Sequence, residues 1–329
     1  MAKFSETCSV LMVGVGGCLP ARLVDNEQLS KTVDTSDEWI QQRTGIKQRY
    51  FVEQERTSDL AVGAARDALQ HAGLTADDID IIVLATTTPN DPFPSTASVV
   101  QKDLEAFNAF AFDVQAVCAG FVYALGVADA LLRARQGKRA LVIGAESFSK
   151  LLDWEDRTTC VLFGDGAGAV VLEVSALVDD WGVLSTVLHT DGRYRDLLYV
   201  DGGPSETGTV GHVRMKGQDV FKHAVEKLSS ALDEALETAG KTPHDLDWLV
   251  PHQANIRIIN GMQKKLGIGP EKVVRTVSEH ANTSAASIPL ALNSAVRDGN
   301  IMPGHLLAFE AIGGGLAWGA SIVRFGRPS

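Results

Sequence analysis

The chain has 329 residues, of which 45% are hydrophobic and 22% charged, enough for about two domains with sizeable cores. Its net charge of −11 excludes a broadly basic surface, and with it non-specific nucleic-acid binding. The four cysteines (Cys8, Cys18, Cys118, Cys160) show no CxxC and no metal-ligand spacing, so reduced cytosolic thiols are expected rather than a disulfide framework.

In chain order, Lys3 and Glu6 precede the apolar run Val10–Gly17, which holds three glycines. That run suits a buried strand and its turn better than the core of a signal peptide. "GVGGCLP" (14–20) lacks the third glycine of a dinucleotide fingerprint and is rejected as one. The pattern then predicts helix 59–73, strand 80–86, helix 96–107, strand 110–116, helix 119–135 and strand 139–145. This alternation implies an α/β fold with largely parallel strands and helices on both faces. Helix 119–135 carries Phe121, Val122, Leu125, Ala128, Leu131 and Leu132, with Arg133 and Arg135 in its last turn before Gly137. It reads as a buried helix with cations at its negative end. "FGDGAGAVVLE" (163–173) reads as a turn feeding a strand. No run approaches the roughly 18–20 apolar residues of a membrane span.

An internal echo organises these elements. "ALQHAGLTADDIDIIV" (68–83) returns as "ALETAGKTPHDLDWLV" (235–250), an offset of 167, with Gly73/Gly240, Thr75/Thr242, Asp78/Asp245 and Asp80/Asp247 identical. Both copies describe a helix ending at glycine, a short acidic loop and an apolar strand. More weakly, "FDVQAVCAGF" falls against "TVSEHANTSA", placing Cys118 near the counterpart of Asn282, and "ALVIGA" (140–145) falls against "LLAFEA" (306–311). A single long period implies a duplicated domain, with halves at about 1–175 and 176–329.

Three residues fall at strand ends before helices: Cys118, His252 in "PHQANIRII" and Asn282 in "HANTSAASIPLAL". Singly, each has a plain structural reading, as a packed thiol or a capping or turn residue. Together, at the sheet edge where open α/β folds bind ligands, they supply a nucleophile and two oxyanion donors. The helix mouth is expected to lower the Cys118 pKa. "AIGGGLAWG" (311–319) is either a tight hairpin or a source of oxyanion-hole amides.

"DTSDEWIQQRTGI", "DVQAVCAGF", "FGDGAGAVVLE", "PHQANIRII", "NTSAASIPLAL" and "GGGLAWGASIVRFG" together resemble β-ketoacyl-acyl carrier protein synthase III, the priming condensing enzyme of bacterial type II fatty-acid synthesis. The resemblance runs from about residue 8 to 326. It implies the thiolase fold, a duplicated βα core in five αβαβα layers, and a cytoplasmic homodimer. It implies an acyl-accepting Cys118 completed by His252 and Asn282, with the amides of Cys118 and Gly314 as oxyanion hole. It implies that Trp39, Arg43 and Arg157 hold the nucleotide end of coenzyme A, and that Asn255 and Gly217 line the pantetheine tunnel. Phe93 corresponds to the aromatic residue that the partner subunit pushes toward the acyl pocket, which Ile312 also shapes. No cofactor or metal is implied, because the coenzyme A thioester is a substrate.

The chain departs from the family at Ala281, commonly glycine, and at Ile312, often phenylalanine. The expected partner, malonyl-acyl carrier protein, is strongly acidic, as is this chain. The helix after His252 resolves the conflict. Ile256, Ile259, Met262 and Leu266 share one face, and Arg257, Lys264 and Lys265 form a neighbouring stripe. Lys222 is the fourth basic residue that the family uses. A condensing enzyme of secondary metabolism and a non-catalytic acyl-carrier-binding paralogue are the alternatives.

Overall fold

Alternating apolar segments assemble into two main sheets around one central helical layer. The computed structural model describes residues 8–328, so Lys3 and Glu6 lie outside it. The first part of the chain runs β1 (Cys8–Cys18), β2 (Arg22–Asp25), α1 (Asn26–Leu29), α2 (Asp37–Thr44), β3 (Gln48–Phe51), α3 (Thr57–Ala72), β4 (Ile81–Ala85), α4 (Thr96–Leu104), β5 (Phe110–Val114), α5 (Gly120–Arg133), β6 (Arg139–Glu146) and β7 (Gly166–Ala176). The second runs β8 (Gly182–Thr190), β9 (Leu198–Val200), β10 (Val213–Met215), α6 (Gly217–Thr238), β11 (Trp248–Pro251), α7 (Ile256–Leu266), α8 (Val277–His280), α9 (Ser287–Arg297), β12 (Leu306–Gly313) and β13 (Ala317–Arg324).

The sheets have the orders β1-β7-β6-β4-β5 and β11-β12-β13-β8. A parallel bridge from Leu249 to Val273 adds the stub of a fifth strand beside β11, where β5 stands in the first sheet. Apart from isolated bridges, parallel pairing among the described residues joins β6–β4–β5 and β11–β12, fewer strands than the alternation predicts. β13 follows β12 through a three-residue link, which permits only an antiparallel partner. Helices α5 and α9 fill the space between the sheets, with Phe121 of α5 packed edge-on against Phe309 of β12. α3 and α4 cover the outer face of the first sheet, and α6 and α7 that of the second. The layers are therefore α, β, α, β, α.

The close approach of α3 explains the rejected glycine motif. A Cβ on Gly16 would lie 2.2 Å from the Ala68 amide nitrogen and 2.3 Å from the Ala64 oxygen. Glycine is there to admit a helix backbone, not a ligand.

The repeat is carried at the level of caps. Thr75 and Asp78 form a capping box, and so do Thr242 and Asp245. Asp80 accepts the amides of Lys138 and Arg139 at the start of β6, and Asp247 accepts that of Leu306 at the start of β12. The offset stays at 167 through the 3-10 turns Val117–Ala119 and Ser284–Ala286, the helices beginning at Gly120 and Ser287, and strands β6 and β12. Cys118 therefore matches Ala285, and Asn282 matches Gln115; the weaker sequence echo had run three residues out of register. It had also run one residue out at "ALVIGA". The turns Val117–Ala119 and Ser284–Ala286 even share a backbone signature, φ 50° at Val117 and 49° at Ser284. They pack against each other across the pseudo-twofold axis.

Candidate active site

β5 stops at Val114, two residues earlier than predicted, and Cys118 sits in the 3-10 turn that opens α5. Val117 is β-branched and left-handed, a conformation that costs about 1–3 kcal/mol and must be held by its surroundings. Gly120 keeps the turn close to its neighbours. A Cβ there would lie 3.0 Å from the Cβ of Ala85 and 3.3 Å from that of Ala285.

Cys118 is only 4% exposed. Burial pushes its thiol up to about 12, and the charge of Glu146 acts in the same direction, while the nearby Ser284 side chain and the Cys118 amide act against it. This overturns the expected lowering. A helix terminus contributes at most about 2 kcal/mol, too little to offset the loss of water. The resting sulfur is a neutral thiol.

His252 follows β11 and is also buried, its Nδ1 2.6 Å from the Ser287 hydroxyl. Burial lowers its pKa to about 3, so the imidazole is neutral. The Asn282 side-chain oxygen accepts the Ser284 amide at 2.9 Å, which leaves its NH2 group to donate elsewhere. The Asn282 backbone is pinned by bonds to Leu162 and Gly164, both 3.0 Å. The segment Asn282–Ser287 thus gathers the three candidates: Asn282 lies within it, Ser287 holds His252, and its Ser284–Ala286 turn packs against the turn that carries Cys118.

The triple glycine closes the β12–β13 hairpin, so the hairpin reading holds. A Cβ on Gly313 would lie 2.6 Å from the Cys118 amide nitrogen, whereas one on Gly314 would meet the Leu198 oxygen at 2.7 Å. Gly313 is thus the glycine that keeps the Cys118 amide uncovered; Gly314 lies one residue further round the turn. A cavity of about 940 Å³ opens beside this turn, lined among others by Thr87, Gln115, Val117, Phe148, Leu198 and Val213. Neither Phe93 nor Ile312 lines it. Phe93 is 85% exposed, and Ile312 is buried against the α6–α7 layer with Leu228, Ile258 and Met262.

The residues expected to hold a nucleotide do converge. The Arg43 guanidinium lies 4.6 Å and that of Arg157 5.5 Å from the Trp39 ring centre. Arg257 donates to the Gln42 carbonyl on the same helix as Trp39 and Arg43. Asn255 caps α7 by accepting the amides of Arg257 and Ile258, the plain structural role. Gly217 opens α6 on the surface, with only the Met215 methyl near a would-be Cβ. Lys222, Arg257, Lys264 and Lys265 are all exposed, and α7 buries Ile258, which the periodicity missed, beside Ile259, Met262 and Leu266.

Four polar residues were not read from the sequence: Glu146, Ser284, Ser287 and Glu310. Ser284 and Ser287 lie within "NTSAAS" beside a nominated asparagine, and Glu146 ends a strand that looked wholly apolar. Glu310 is buried in β12 with no hydrogen-bond partner among the described residues for either carboxyl oxygen, and its backbone oxygen accepts the His252 amide.

Ala281 adopts φ 57°, ψ −158°, a region otherwise almost confined to glycine. Ala281→Gly relieves that strain at some cost in chain entropy. It is expected to raise stability by about 1 kcal/mol, read as a higher urea midpoint. Burial raises the Glu310 carboxyl to about 8. The folded state therefore keeps a proton that the unfolded chain has lost, and stability declines as pH rises from about 4.5 toward 8. Glu310→Gln should match wild type near pH 5 and exceed it by a few kcal/mol near pH 8; an equal gap at both values would refute the assignment.

Comparison with known proteins matches the geometry. The family model "3-Oxoacyl-[acyl-carrier-protein (ACP)] synthase III" matches residues 112–192, and its C-terminal counterpart matches residues 236–325. The β-ketoacyl-[acyl-carrier-protein] synthase III of Erythrobacter litoralis is 60% identical, over 95% of this chain and 98% of its own. That of Rhodospirillum centenum is 59% identical, over 96% and 98%. The crystal structure of the Aquifex aeolicus 3-oxoacyl-[acyl-carrier-protein] synthase III superimposes with a TM-score of 0.91 at 46% identity, covering 96% of this chain and 100% of that one. The corresponding Pseudomonas aeruginosa structure gives 0.92 at 38%, covering 98% and 99%. With its duplicated five-layer thiolase fold, the chain belongs to the β-ketoacyl-[acyl-carrier-protein] synthase III family of condensing enzymes.

Proposed function

We propose that this chain primes fatty-acid synthesis by a two-step acyl transfer at Cys118. In the first step the sulfur attacks a short acyl-CoA, with acetyl-CoA the expected primer, and coenzyme A leaves. In the second, malonyl-acyl carrier protein enters, loses CO2, and its carbanion attacks the acyl-Cys118 carbon to give a β-ketoacyl thioester. The observation that carries this reading is the Asn282–Ser287 segment, which supplies the carboxamide, holds the imidazole through Ser287 and packs its Ser284–Ala286 turn against the turn that carries the thiol.

A neutral His252 suits a donor. With Ser287 donating to Nδ1, Nε2 carries the hydrogen and aims it, with the Asn282 NH2, at the malonyl thioester oxygen. As CO2 departs, charge collects on that oxygen, and losing one such donor costs on the order of 3 kcal/mol of barrier. Decarboxylation itself supplies the carbanion, so the reading calls for no metal. In the acylation step the Cys118 amide, kept clear by Gly313, receives the oxyanion, with Gly314 as the expected second donor.

Trp39 with Arg43 and Arg157 offers a flat aromatic face and two cations to an adenine nucleotide. Asn255 and Gly217 are assigned to the pantetheine arm. A homodimer accounts for two exposed features. The edge strand β5 presents Phe110 stacked on Phe112, and Phe93 projects free of its own chain. Four free thiols suit a reducing cytoplasm.

Two experiments test this reading. Mixing with acetyl-CoA should leave an acetyl adduct on Cys118, read by peptide mass, and Cys118→Ala should leave none. Arg257→Glu should slow the second step with malonyl-acyl carrier protein about tenfold at low salt. The same variant should decarboxylate a small malonyl thioester at the normal rate; an unchanged rate with the carrier protein would remove the docking assignment.

A further inference from the structure

Ser284 is held in left-handed backbone, φ 49°, although it is not glycine. A residue in that region persists only where its surroundings fix it. The Ser284 amide donates to the Asn282 side-chain oxygen at 2.9 Å, and so decides which end of that carboxamide is free to donate. The aim of this amide turns with the Ser284 φ angle. A Ser284 released to ordinary extended or helical backbone would swing its amide away from Asn282, and the carboxamide would lose its anchor.

The group that fixes Ser284 comes from the other half of the chain. Its hydroxyl donates to Oε1 of Glu146 at 3.0 Å. Glu146 is the last residue of β6, and none of its surface is exposed. It is itself immobilised by neighbours on the segment after β4. The Thr87 amide reaches its two oxygens at 3.2 and 3.1 Å, and the Thr88 hydroxyl donates to Oε2 at 2.7 Å. The Thr88 hydroxyl oxygen accepts the Ser147 amide at 2.8 Å, which leaves its hydrogen for Glu146. The Thr57 hydroxyl ties the Thr88 carbonyl to α3 at 2.7 Å. Close approach of the two halves is needed for the Ser284 bond to form. Gly144 permits it, since a Cβ there would lie 2.2 Å from the Ala285 oxygen.

We propose that Glu146 is a positioning residue for Asn282. It touches no reacting atom. It acts through the Ser284 hydroxyl, which keeps the strained turn in place and the carboxamide set as a donor for the decarboxylation step. The acylation step, whose oxyanion is assigned to backbone amides, makes no call on that carboxamide. Loss of Glu146 or of the Ser284 hydroxyl therefore weighs on one half-reaction more than on the other. The inference rests on Asn282 serving decarboxylation, and the test separates the two.

Ser284→Ala removes the hydroxyl and keeps the amide. Glu146→Gln turns an NH2 group against the Thr87 amide in either orientation, so the side chain must shift. Acetylation of Cys118 by acetyl-CoA is followed by peptide mass in a single turnover, which also shows that the site is folded. Decarboxylation of malonyl-pantetheine is followed as CO2 release in the same preparations. Both variants should lose kcat for decarboxylation about tenfold more than they lose acetylation, with KM unchanged. In an Asn282→Ala background neither substitution should slow decarboxylation further. Equal loss of both half-reactions, no loss of decarboxylation, a raised KM at normal kcat, or a further loss in the Asn282→Ala background would each overturn the positioning role. Wild-type decarboxylation by Asn282→Ala alone would overturn the underlying assignment of Asn282 instead.

Discussion

The contact between the Val117–Ala119 and Ser284–Ala286 turns is the constraint on which the site depends. Each turn begins with a non-glycine residue held in left-handed backbone, Val117 in one and Ser284 in the other. Neither would persist alone, because the conformation is costly and the turns are short. They persist because two sheets and two central helices clamp them face to face. The duplication supplies matching turns, and divergence places a thiol in one and a hydroxyl in the other. Chemistry arises at the seam of the two halves, where neither half holds a complete set.

Electrostatically the site is dry and mostly uncharged. Cys118 and His252 both rest neutral for the same reason, removal from water. Fixed dipoles take the place of solvent: the helix mouth, the exposed amide beside Gly313, the Asn282 NH2 and the imidazole. On the proposed mechanism such groups require no reorganisation when charge develops on a thioester oxygen, and neutral donors suffice. On α6 and α7 the exposed cations Lys222, Arg257, Lys264 and Lys265 interrupt an otherwise acidic surface.

Much of this was legible in the sequence, for identifiable reasons. The repeat could be read because helix caps and strand-start aspartates are local, and local chemistry repeats residue by residue. The placing of Cys118 after β5 and of His252 after β11 followed from hydrophobic periodicity, whereas Asn282 follows the short helix α8 instead of a strand. The true register of the second turn did not. Its matching features are φ angles and turn type rather than side chains, so the weak letter match slid by three residues. The pKa of Cys118 was misjudged because sequence shows the helix mouth but not the depth of burial. Glu146 went unread for a related cause: a lone carboxylate at the end of an apolar strand looks like the strand's exposed boundary until the opposite layer is in place. Parallel pairing was over-predicted because the hairpin link between β12 and β13 was weighed as a possible ligand loop.

A sulfur that stays protonated in the unliganded enzyme has a further meaning for its life in the cell. Thiolates, not thiols, are what peroxides and stray electrophiles consume. On the acyl-transfer reading proposed above, a Cys118 kept uncharged until a thioester binds has its reactivity confined to turnover. Between cycles the idle catalyst is shielded from irreversible oxidation.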